Sequence, residues 1–426
     1  MTEYKVSKSL LFAKLMIVSF FLPNRGIFVG YQYLFQLLLF LLYILANGNK
    51  IKINKLIIPK WIIIYFFILG ICILRHFDTR GVLWNLYDLV PAFAAISIIV
   101  NCIICNKNNF YKLIDFLLKI VTVYSILCII ESITGFNMYD FLTNDKVIYL
   151  FANEIRFGFV RNRGVFDVSI NNGAFLTMNL CLCCYRLLSN RDKNYKLMYL
   201  IIFVAAFLGM SRVIWIDLAL SQTIIFLGLK TSKKIRYLLI GTLLVSISWI
   251  VGSLLPSSFL GQFFNIIDEM IDTTISGIFV NNSTSTVTSE SGLYGIGARF
   301  DLWVWVFEAT KDKLLWGNGF QEIFRHVYTA NTVKTSIEVM WLYRLFKTGL
   351  IGMFGLIFLQ ISSLLSSVKN LKKYRKLTQN YFFIRCFFGM CVGLFVAQLG
   401  YTSMEDFNFF FIYLGLFVSC LTIELA

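Results

Sequence analysis

A chain of 426 residues that is 58% hydrophobic and only 15% charged falls far below the roughly 25% charged residues of soluble globular domains, which excludes an ordinary soluble enzyme and places the chain in a bilayer. The 17% aromatic content and the mere 4 Pro exclude a disordered chain, because such chains lack large apolar side chains. A net charge of +16, from 39 Lys plus Arg against 23 Asp plus Glu, is what a hydrocarbon core rejects, so the location of the cations is the first question.

A helix needs roughly 20 apolar residues to cross the hydrocarbon. The chain offers about twelve such windows, at 9–23, 27–46, 57–74, 82–103, 113–133, 166–188, 196–211, 213–229, 236–255, 337–365, 381–400 and 407–425. The first follows a basic head and has no small-residue cleavage site after it, so it reads as a retained helix. Alternate connections are basic: Lys50 to Lys60, Lys107 and Lys112, Arg186 to Lys196, Lys230 to Arg236, and Lys369 to Lys376. The positive-inside rule makes that face cytoplasmic and puts both termini there. The opposite face holds two long segments, 134–165 and 256–336. The second contains an expected interfacial helix at 259–279 and a polar loop at 281–292. The expectation is an all-α polytopic membrane protein, a single integral domain over 1–426 with an outer cap.

The 10 Cys lie almost wholly in apolar windows and lack the paired CxxC spacing of a zinc site, so they read as buried thiols, with no metal expected. The lysines are spread over short loops rather than gathered in one basic domain, which excludes nucleic acid as a partner. Sorting the cations by face separates two populations. Lysine dominates the inner connections. Arginine dominates the outer ones, with Arg25, Arg75, Arg80, Arg156, Arg161, Arg163, Arg212, Arg299 and Arg325 against Lys146, Lys311, Lys313 and Lys334. Outer arginines run against the insertion rule. A guanidinium grips phosphate through two parallel N–H donors and keeps its charge when partly dehydrated, so an outer oxyanion pocket would require such groups. The bland account is that each snorkels to headgroups or pairs with a carboxylate.

Three stretches carry a resemblance: RNRGVFDVSINNGAFLTMNL at 161–180, FLGMSRVIWIDLAL at 207–220, and GARFDLWVWVFEATKDKLLWGNGF at 297–320 with EVMWLYRLFKTGLIG at 338–352. Their order and common face resemble the O-antigen ligase and Wzy-type O-antigen polymerase superfamily. The resemblance implies a GT-C-like helical fold with a large periplasmic loop containing short helices, seated in a bacterial inner membrane. It also implies sugar-chain transfer from undecaprenyl pyrophosphate on the periplasmic side, without a cofactor or a metal. The implied partners are an undecaprenyl-pyrophosphate-linked oligosaccharide, membrane lipid and a chain-length regulator protein. Counting back from Gly349 by the ligase spacing lands on Glu338 where ligases carry His; only His76 and His326 exist in the chain. That departure favours the polymerase branch.

Glycosyl transfer from a pyrophosphate needs stabilisation of the departing anion and a base for the attacking hydroxyl. Arg163, Arg212 and Arg299 are the candidates for the first role, with Arg161 in reserve. Glu338 is the candidate catalytic base, and Asp167 and Glu290 are weaker options. Asp301 reads as a helix-start residue. Asp167, Asp88, Asp217 and Glu405 are candidates for a sugar-facing polar pocket; Asp217 also reads as a partner for a nearby polar group. An O-antigen ligase and a polysaccharide flippase or transporter are the alternatives. The latter would more often show Gly/Pro-broken helices in repeated halves.

Overall fold

The computed structural model describes residues 2–22, 31–47, 58–75, 79–143, 155–156, 159–166, 168–189, 193–255, 261, 264, 296–320, 322–329, 332–334, 337, 339–374, 378–398 and 404–423. Each apolar window coincides with a helix. In chain order these are α1 (Thr2–Ser19), α2 (Tyr31–Asn47), α3 (Lys60–Arg75), α4 (Thr79–Cys105) and α5 (Asn108–Thr134), followed by the short α6 (Met138–Thr143). Then come α7 (Ser169–Ser189), α8 (Lys193–Phe207), α9 (Arg212–Leu227), α10 (Thr231–Leu254), α11 (Ile296–Thr310), α12 (Met340–Lys373), α13 (Gln379–Ala397) and α14 (Met404–Thr422).

Three of these, Asn108–Thr134, Met340–Lys373 and Gln379–Ala397, are long and apolar enough to cross a membrane, and Tyr31–Asn47, Leu89–Cys105, Asn194–Phe207, Val213–Leu227 and Phe409–Thr422 are shorter apolar helices. The molecule is thus an all-helical protein of membrane type. The segments 134–165 and 256–336 contain small antiparallel ribbons that the hydropathy pattern did not announce, Ile155–Arg156 with Phe159–Val160 and His326–Thr329 with Thr332–Lys334. Of the expected interfacial helix at 259–279, only Gly261 and Phe264 are described, both helical.

Packing follows membrane rules, in which close backbone approach and polar contacts replace the hydrophobic drive. α9 and α13 lie along one another because α13 presents glycine: a Cβ at Gly389 would come within 2.8 Å of the Ser221 carbonyl oxygen, and one at Gly393 within 1.9 Å of Asp217. The main core gathers α1, α4, α5, α7, α13 and α14. At one end it holds an aromatic cluster in which Phe175 and Phe409 stand 4.3 Å apart, with Phe20, Phe21, Tyr124 and Phe166 around them. Edge and tilted ring pairs of this kind add about 0.5–1.5 kcal/mol each beyond burial.

The window at 337–365, read from sequence as one crossing helix, is corrected. Gly349 has φ 68° and ψ −167° and interrupts α12. Trp341 Nε1 donates to Gln360 Oε1 at 3.0 Å, although on a straight helix those residues would stand about 28 Å apart. Gln360 bonds Gln398, whose carbonyl accepts the Met340 N–H at 3.1 Å. α12 is therefore a helical hairpin, with a short arm, 340–348, folded back on the arm 350–373, whose length of about 36 Å suits a crossing. The loop 314–319 is inserted at the turn. Asn318 and Gly319 N–H donate to the carbonyls of Phe346 and Lys347 (2.8 and 3.0 Å), while Leu350 and Ile351 N–H donate to Leu314 and Leu315 (2.9 and 3.4 Å). Backbone groups freed by the interruption are thereby satisfied, as an apolar setting demands. A separate small core of Leu302, Val306, Phe324, Ile337, Leu342 and Phe346 backs the short arm.

Candidate functional site

The segment 161–166 and the turn 208–211 meet at the end of the bundle opposite Arg186 and the lysine-rich connections. Arg161 Nε donates to the Gly209 carbonyl at 3.2 Å. Asn162 Nδ2 donates to the Ala205 carbonyl at 2.9 Å and to Ser132 Oγ at 3.1 Å, and its Oδ1 accepts from Asn172 Nδ2 at 2.7 Å. The turn is tight, with Met210 in the left-handed region at φ 48°, and it delivers Arg212 as the first residue of α9. Ser211 occupies the N-cap in an extended conformation without a side-chain cap bond, so the positive pole of α9 is not capped by its own N-cap side chain. Two of the three motif stretches are thus neighbours.

Arg163 is the most enclosed cation of the group, at 2% exposure. Its Nη2 donates to Asp140 Oδ2 at 2.6 Å, and its Nε and Nη1 are buried without an acceptor among the described residues. The backbone beneath it is held by Glu131, near the end of α5. Glu131 Oε1 accepts the Arg163 N–H at 3.0 Å, and Oε2 accepts the Gly164 N–H at 2.9 Å. Asn137 joins the parts: Nδ2 donates to Glu131 Oε1 at 2.7 Å and to the Gly164 carbonyl at 3.1 Å. Its Oδ1 accepts the N–H groups of Tyr139 and Asp140 at 2.8 and 3.2 Å, an N-cap that starts α6 and fixes Asp140.

Gly164 is required by this geometry. Its φ is +54°, and a Cβ there would come within 1.9 Å of the Tyr124 hydroxyl. That hydroxyl accepts the Val165 N–H at 3.1 Å and donates to Asn172 Oδ1 at 2.6 Å. Phe166 then anchors the segment on Phe175 and Phe409, at 5.6 and 5.5 Å. The Arg-Gly-Phe start is therefore a mounted arginine, a glycine turn and an aromatic anchor.

The other expected site residues are distributed as follows. Arg299 lies in α11, which packs on α12. Arg212, Asp88 and Glu405 are described in backbone only, in α9, α4 and α14, and Glu338, Asp167 and Glu290 lie outside the described residues. Asp217 sits one and a half turns into α9, at 1% exposure, with neither carboxylate oxygen hydrogen-bonded among the described residues. It is not the ion-pair partner of a neighbour there; it faces Gly393. Glu131, Asn137 and Asp140 were missed by sequence reasoning. Their only signal was the spacing Asn137-x-x-Asp140 after the α5 window, an N-cap pattern.

No protein-family model matches the chain, and a search of curated proteins returns no match.

Proposed function

We propose that the chain is a glycosyltransferase of a bacterial inner membrane that polymerises a surface polysaccharide. The growing chain would pass from undecaprenyl pyrophosphate to a new lipid-linked repeat unit at the periplasmic face. In this reading about twelve helices cross the bilayer in a GT-C-like arrangement, with both termini cytoplasmic and segments 134–165 and 256–336 periplasmic. The observation that supports it is the meeting of the Arg161–Arg163 segment with the Gly209–Arg212 turn, where an enclosed guanidinium keeps two N–H donors without an acceptor among the described residues. Such preorganised donors stabilise the charge of a departing pyrophosphate by several kcal/mol. Arg163, Arg161, Arg212 and Arg299 would serve that anion, and Glu338 would take the proton of the attacking hydroxyl. Asp167, Asp88, Asp217 and Glu405 would line the sugar side.

The test is the glycan made by cells carrying each variant in place of the wild-type chain. Arg163→Lys and Arg212→Lys are expected to leave the protein in the membrane while reducing long polymer at least tenfold, with single repeat units persisting on surface lipid. Normal chain length in both variants would end this reading. Full polymer retained on the polyprenyl carrier but absent from its final acceptor would assign the ligase instead. A second reading, a transporter of the lipid-linked unit, is favoured by Asp217, since a buried acid with no hydrogen-bond partner among the described residues suits proton-coupled movement. The interruption of α12 gives that reading no help, because the loop 314–319 occupies the backbone groups that a transporter would leave for an ion. Repeat units trapped on the cytoplasmic leaflet of cells lacking the chain would decide for transport.

A further inference from the structure

Glu131 has no place in the chemistry just proposed, yet it is one of the most heavily bonded acids in the described molecule. Both of its oxygens are spent on consecutive backbone N–H groups, and a third donor comes from Asn137. The same Asn137 caps α6 and so sets Asp140 against the Arg163 head group. One carboxylate thus fixes the base of the Arg163 side chain while a second, coupled to it through a single amide, fixes the tip. All four residues are buried.

A buried arginine whose only task was to hold the fold would be expected to engage its donors, since a buried N–H left without an acceptor loses its hydration with nothing in return. Among the described residues Arg163 leaves Nε and Nη1 in that condition. Two-point mounting with an unsatisfied, enclosed donor set is the arrangement of a preorganised anion receptor, in which the cost of orienting the guanidinium is met at folding rather than at binding.

We propose that Glu131 is a positioning residue for an oxyanion: through Asn137 and Asp140 it holds Arg163 so that donors on two edges of its guanidinium, Nε and Nη1, are kept for the phosphate oxygens of the ligand. The inference rests on the anion-binding reading of this site and adds the residues that aim it.

The full chain in lipid nanodiscs, titrated with inorganic pyrophosphate, tests it. Wild type is expected to bind the anion, as read by isothermal titration calorimetry. Glu131→Gln and Asp140→Asn are each expected to weaken binding by about tenfold or more. Made on an Arg163→Lys background, the same changes are expected to weaken it less than about threefold. A purely structural role would move both backgrounds alike, and equal losses would overturn the proposal. Undiminished binding in Glu131→Gln would remove the positioning role and leave the anion site standing. No binding in the wild type would sink both. Where Glu131→Gln does not fold, Asp140→Asn carries the same comparison, and the wild-type titration needs no variant.

Discussion

Two buried ion pairs show how differently the same charges weigh in this bundle. Arg163 and Asp140 are almost wholly enclosed, with side chains 2% and 6% exposed, whereas the Asp115 side chain that meets Arg186 is 31% exposed. Arg186 is held by two bonds to Asp115, 2.7 and 3.0 Å, with the Tyr195 hydroxyl bridging them. Removing one partner of an enclosed pair strands a charge and costs about 3–5 kcal/mol, while a pair in contact with water gives much less. Asp140→Ala is therefore expected to lower stability more than Asp115→Ala, as measured by thermal unfolding in the same detergent. Gly164→Ala should cost about 2–4 kcal/mol from its left-handed φ and the collision with Tyr124. Tyr124→Phe should cost about 1–3 kcal/mol by orphaning Val165 N–H and Asn172. In the double variant the clash with the hydroxyl is relieved while that with the ring carbon Cζ at 2.6 Å remains, so the two losses fall somewhat short of their sum; strict additivity would contradict the contact described. The arginines were legible in the sequence because they stood apart from the lysine-rich connections. Their acids were not, because Asp140 lies 23 residues from Arg163 and nothing in the spacing announces the pair.

At the scale of elements, hydropathy windows located helices well and misjudged one of them. A window averages side-chain apolarity and is blind to backbone φ, so the stretch around Gly349 looked like the middle of a span. Glycine at that position is also sterically required, since a Cβ would fall 2.3 Å from the Leu315 carbonyl oxygen. The hairpin makes a metric prediction. Spin labels at positions 341 and 360 should report side-chain neighbours, as the Trp341–Gln360 bond requires, against about 28 Å for a straight helix. A broad peak near the longer distance would refute the fold-back. Gly349→Val, which forbids the turn, is expected to shift the pair towards that longer separation.

For the whole molecule, charge pattern gives direction and the structure supplies a reporter. Among the 10 Cys, Cys105 alone is exposed, and it lies at the end of α4 beside the basic connection of Lys107 and Lys112. If that face is cytoplasmic, a membrane-impermeant maleimide should label Cys105 in inverted vesicles and leave it untouched in intact cells. Labelling from outside would invert the proposed topology, move the Arg163 site to the cytoplasm and end the periplasmic reading. The helical class and the order of the helices were readable from composition and window length, because a bilayer imposes both. The assembly of the site was not, since it depends on contacts between α5, α6 and the connections before α7 and α9, which no local pattern encodes.

The loop inserted at the α12 turn has a mechanical consequence. It is bonded to the hairpin at 314–319, Lys347 Nζ grips the carbonyls of Phe320 and Glu322 at 2.7 and 2.6 Å, and Met340 is tied to Gln398. Between these ties, Phe324 and Ile337 are packed into the small core behind the short arm and His326–Thr329 is paired with Thr332–Lys334, so the chain is pinned along its course as well as at its ends. A pull on these ties is therefore felt by α12 and α13 together, as tension on two helices that already share a hydrogen-bonded seam.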